Sequence, residues 1–139
     1  MNKKMVIITA TCFVIIAAAF VAFFIVSTNR EGNIRFSGTN SAMTSTRHHS
    51  GFAINAQRAN GRARMHVNLT TENLENMNAV NSTAYGRMYL ELTQGDVVRL
   101  TDISGMFNGG IYTSAFEPGR VTIRVIFERA EGVNFSIRW

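Results

Sequence analysis

Cysteine, proline and lysine are almost missing from this 139-residue chain. Its single cysteine, Cys12, lies inside an apolar N-terminal stretch, so no disulfide framework can hold the rest together. Its single proline is Pro118, and lysine occurs only as Lys3 and Lys4. Every one of the twelve basic residues from residue 27 onward is arginine. No glycine-rich phosphate loop, Cys/His cluster or nucleophile-elbow motif is present. These absences set the expectations that the chain is not an enzyme, has no catalytic residues, binds no metal and carries no cofactor. Its three histidines do not change this. His48 and His49 are neighbours and point opposite ways in an extended chain, while His66 stands alone. Asp96, Asp102, Asn108 and Glu117 offer oxygens in predicted loops, but their spacing matches no calcium loop.

What the chain does have is one long apolar run. Residues 5–26 are apolar except for Thr9 and Thr11, and none is charged. As a helix these 22 residues would rise about 33 Å, enough to cross a hydrocarbon core of about 30 Å. No polar stripe breaks the run, which argues against a helix of a soluble core. A cleaved signal peptide is the rival, because Lys3 and Lys4 precede the run and Ala17, Ala18 and Ala19 offer a cleavage site. The length favours an uncleaved anchor, since a signal core is usually about 7–15 residues. Positive charge is nearly balanced on the two sides. The very short N-terminal tail then suggests a signal-anchor layout, with the N-terminus cytoplasmic and residues 27–139 outside the cell membrane. Cys12 lacks the small-residue approach of a lipidation box and reads as a membrane-facing hydrophobe.

After the run the sequence becomes polar. Twelve of the 24 residues from 27 to 50 are Ser, Thr or Asn, which predicts a tether, with Ile34-Arg35-Phe36 as a stray edge strand. From Gly51 the hydrophobic period is two, and the remainder is expected to form a domain over residues 51–139. Phe52, Ile54 and Ala56, then Met65, Val67 and Leu69, predict two strands joined at Asn60-Gly61, a strong hairpin signal. Val121, Ile123, Val125 and Phe127, then Val133, Phe135, Ile137 and Trp139, predict a second hairpin around Ala130-Glu131-Gly132. A third is expected at Gln94-Gly95-Asp96, placing Leu92 opposite Val98 and Leu90 opposite Leu100. Residues 111–116 suggest a further strand. Residues 71–81 can hold at most a turn of helix or a loop, because their asparagines disfavour a longer one. Six to eight short strands separated by turns predict a mainly β fold, a small antiparallel sandwich or jelly roll.

The candidate site follows from charge. Residues 27–139 carry twelve arginines against nine acids, a net charge of +3. Arg58, Arg62 and Arg64 crowd the predicted hairpin tip, and arginine grips phosphate or carboxylate with two donors at once. They are the candidate anion-binding residues. Among the aromatics, Tyr89 is the one whose register points outward, making it the candidate aromatic ligand contact. DNA binding is disfavoured by the small net charge and the outside location, so no nucleic-acid partner is expected. Three acceptor motifs for N-glycosylation, at Asn68, Asn81 and Asn134, are close to what chance provides.

Three stretches set the chain beside a known type of module. They are residues 92–98 (LTQGDVV), 116–125 (FEPGRVTIRV) and 133–139 (VNFSIRW). Their cadence resembles the second half of small bacterial jelly-roll domains, the carbohydrate-binding and pre-peptidase-type modules. That resemblance implies binding of a polysaccharide or a protein, and assigns no site residue. The expectation is a single-pass envelope protein acting in binding or scaffolding as an accessory subunit, with a module for carbohydrate or wall polymer as the alternative. Besides the membrane, the expected partners are a protein or an anionic or polysaccharide polymer of the envelope.

Overall fold

The computed structural model describes residues 32–139. The expected anchor, residues 5–26, lies outside them, and no helix among the described residues is long and apolar enough to cross a membrane. In chain order the elements are β1 (Arg35–Ser41), β2 (Thr44–His48), β3 (Gly51–Leu69), α1 (Thr71–Glu75), β4 (Asn78–Ser82), β5 (Tyr85–Gln94), β6 (Val97–Asp102), β7 (Met106–Gly110) and β8 (Gly119–Arg138). The fold is mainly β, as the period of two predicts, and every strand pairing is antiparallel.

Two long strands, β3 and β8, run alongside each other from Gly51↔Arg138 to Leu69↔Gly119. Everything else is hung on them. On the free edge of β3 lie β2, against residues 51–55, and β1, against residues 58–64. On the free edge of β8 lie β4, followed by β7, and β5, followed by β6. The β3–β8 ladder breaks register between Ala59 and Gly61, dividing the sheet into two halves. One half is β2, the start of β3, the end of β8, β4 and β7. The other is β1, the end of β3, the start of β8, β5 and β6. Both halves bury one face in a shared core that includes Phe52, Ile54, Met65, Val67, Leu90, Leu92, Ile123, Phe127, Phe135 and Ile137. The Arg99 guanidinium of β6 also lies 5.5 Å from the ring centre of Tyr112, in the segment after β7.

The break replaces two of the expected hairpins. Asn60-Gly61 is not a turn: residues 51–69 are one strand, so the two expected arms do not fold back on each other. Buried positions are even from Phe52 to Ala56 and odd from Ala59 onward, with Gln57 and Arg58 both exposed between them. Gly61 pairs with Gly38 at a close approach, and a Cβ on Gly61 would sit 2.2 Å from the Ser37 carbonyl oxygen. In the same way residues 119–138 form one strand, and Ala130-Glu131-Gly132 is not a hairpin loop. Arg129 takes a left-handed backbone (φ 51°) there, and its N–H donates to Asn60 Oδ1 at 3.2 Å. This is a bulge: an extra residue bends the strand and resets which side chains point inward.

The polar stretch expected as a tether is, from Arg35 to His48, sheet rather than linker, since β1 and β2 pair with β3. The hairpin at residues 94–96 exists, but its turn is Gly95-Asp96 and its register differs by one. Leu92 faces Arg99 and Leu90 faces Thr101. Val98 and Leu100 therefore point away from the core and are 54% and 57% exposed. The strand expected at residues 111–116 is instead β7, which ends at Gly110. The single turn of helix is present as α1. The Thr70 hydroxyl accepts from the Asn73 N–H at 3.2 Å, and Asn73 Oδ1 accepts from the Thr70 N–H at 3.0 Å, which fixes its start.

Candidate functional site

Residues directly opposite one another in a ladder share a face, so the register lists what each outer face presents. Across β1, β3, β8, β5 and β6 one row reads Arg35, Arg64, Arg124, Glu91, Leu100. The next row reads Ser37, Arg62, Ile126, Tyr89, Asp102. On the other side of the arginine row, His66 faces Thr122, and Thr122 faces Thr93. Four arginines from three adjacent strands thus share one small patch of sheet.

Arg62 and Arg64 come together as the sequence suggests, but Arg58 does not join them. Its Nε lies 3.4 Å from Glu131 Oε1, and with Arg129 and Glu131 it lines a separate depression of about 340 Å³ at the bend. Arg35 and Arg124, which sequence reasoning missed, take its place. A depression of about 360 Å³ is lined by Arg35, Phe36, Ser37, Arg62, Arg64 and Arg124. A second, of about 350 Å³, shares Arg62 and Arg124 and adds Asn60 and Glu91. Glu91 forms an ion pair with Arg124, both side chains being largely covered. Nothing local could have revealed Arg35 and Arg124 as partners of Arg64, since they lie 29 and 60 positions away along the chain.

His66 reports the field of this patch. Its Nδ1 shares a hydrogen bond with Thr122 Oγ1 at 2.9 Å. Partial burial, then the charges of Arg120, Arg64, Arg35 and Arg124, hold its imidazole below the ordinary value of 6.5. Tyr89 lies on the outer face between Ile126 and Asp102 but is half-buried. The open rings are instead Tyr85 and Tyr112, 73% and 65% exposed.

The other outer face has a different chemistry. Two of its rows read Thr44, Asn55, Asn134, Ser82, Met106 and Thr46, Ala53, Ser136, Val80, Asn108, and the end row reads His48, Gly51, Arg138, Asn78, Gly110. The first two rows hold hydroxyls, amides and a few apolar groups, and the charge of this face is confined to the end row. Of the three glycosylation motifs, Asn68 and Asn134 are exposed, whereas Asn81 is buried and its amide donates to the Ile103 carbonyl at 2.7 Å. Comparison with protein-family models and with curated proteins finds no match to this chain.

Proposed function

We propose that this chain is a single-pass membrane-anchored envelope protein whose β-domain, a small sandwich-type module outside the cytoplasm, acts in binding or scaffolding. The uncharged run of residues 5–26 supports the anchor. The observation that carries the binding role is the row Arg35, Arg64, Arg124 on an exposed sheet face. Arginine grips an anion with two donors at once, so their convergence on one sheet face favours an anionic partner. Alkaline carbonate washing of native membranes tests the anchor. The full-length chain stays in the pellet if it spans the bilayer, and its release into the wash would overturn the reading.

A second reading, a module for neutral carbohydrate or wall polymer, is supported by the cluster of Thr44, Thr46, Asn55, Asn134, Ser136 and Ser82 on the other outer face. Hydroxyls and amides suit sugar hydroxyls, and such binding does not depend on salt. Cosedimentation with purified wall polymer that persists at 1 M salt would favour this face over the arginine row, because at that salt the Debye length is only about 3 Å.

A further inference from the structure

We infer that Arg35, Arg62, Arg64 and Arg124 form a binding site for linked phosphate groups, a phosphodiester or oligophosphate. The inference rests on reading the domain as a binding module and names its ligand class. Four arginines from three adjacent strands line the patch, with Glu91 held by Arg124. At a strand spacing of about 4.8 Å, the row Arg35, Arg64, Arg124 is about 10 Å across. A planar carboxylate satisfies one guanidinium fork. A tetrahedral phosphate has oxygens pointing several ways and can accept from forks on different strands. The depression around Phe36 and Ser37 is ringed by guanidinium-bearing residues from β1, β3 and β8, with the Ser37 hydroxyl as a further donor. Its volume of about 360 Å³ exceeds what one phosphate fills, and the neighbouring depression of about 350 Å³ shares Arg62 and Arg124 as its wall. Two adjoining spaces with common arginines suit consecutive phosphates better than a single ion. Glu91 sits in the second space and holds Arg124, so it weakens binding there.

His66 supplies the readout. It lies one row from the arginines, and burial first, then the charges of Arg120, Arg64, Arg35 and Arg124, hold its imidazole down. Anion neutralising them must therefore raise its titration midpoint. The experiment follows the histidine ring signals of the full-length chain by NMR, with His66→Gln to assign them. One arm uses uncharged detergent micelles titrated with tripolyphosphate, with chloride at equal ionic strength as the control. The other compares nanodiscs of phosphatidylcholine alone with nanodiscs that also contain phosphatidylglycerol. The His66 midpoint is expected to rise in at least one arm while His48 and His49 stay put. A response to tripolyphosphate alone assigns a free phosphate polymer, and a response in nanodiscs alone assigns lipid headgroups. Arg35→Gln/Arg62→Gln/Arg64→Gln should weaken tripolyphosphate at least tenfold, and Glu91→Gln should strengthen it several-fold. Amide dispersion of each variant checks that it is folded. No rise of the His66 midpoint in either arm, or an equal rise at His48 and His49, overturns the site. That failure leaves membrane anchorage standing, whereas release of the chain by carbonate would leave a His66 response intact.

Discussion

Asn81 is an amide enclosed by an apolar core. Its Nδ2 donates to Thr83 Oγ1 at 2.6 Å and to the Ile103 carbonyl at 2.7 Å, tying the end of β4 to the segment after β6. Thr83 in turn lies 2.9 Å from the Met88 sulfur. Asn81→Ala leaves those groups without their donor in a place water does not reach. Denaturant titration should show a loss of about 1–3 kcal/mol, the usual cost of a buried polar group left unsatisfied. The same burial explains why an acceptor motif read from sequence is no acceptor here. His66 gives a pH signature. Its folded value lies below the 6.5 of the free side chain, so the unfolded chain binds more protons between the two. Its contribution to stability is full above pH 6.5 and is lost as pH falls through the lowered value. Unfolding midpoints at pH 7.5 and pH 5 should differ less in His66→Gln than in the native chain.

At the scale of elements, the bend does most to set the architecture. The Arg129 bulge is braced from β3 by Asn60 and faced from β5 by Gly86 (φ 84°). A Cβ on Gly86 would lie 2.2 Å from the Arg129 carbonyl oxygen, a backbone atom that cannot swing aside. Gly86→Ala should therefore cost about 1–3 kcal/mol or more through strain, read as a lowered thermal midpoint. The hydrophobic period correctly marks the inward residues on both sides of the bend, Phe52, Ile54 and Ala56 and then Met65, Val67 and Leu69. It does not distinguish a hairpin from a bulged continuous strand, because either device accounts for the change from even to odd positions. The deciding partner is remote: β1 lies across residues 58–64 and keeps them extended. The polar residues of β1 and β2 read as a tether because an edge strand with little buried surface carries no apolar stripe. At Gly95-Asp96 the turn was legible, but its length was not. One residue of slip moved Val98 and Leu100 to the outer face.

On the whole-molecule scale, the two outer faces divide the labour that composition alone presents as a diffuse excess of arginine. One face gathers Arg35, Arg62, Arg64 and Arg124; the other offers hydroxyls, amides and a few apolar groups, with Arg138 and His48 only in its end row. Half of the arginine cluster was legible, because Arg62 and Arg64 alternate on one strand. The other half was not, since Arg35 and Arg124 join through pairings between strands distant in sequence. Those faces meet envelope partners only if the domain lies outside the membrane. Protease added to intact spheroplasts tests this most directly. An outside domain is digested, leaving only an N-terminal fragment that contains residues 5–26. Protection of the full-length chain until the cells are lysed would contradict it.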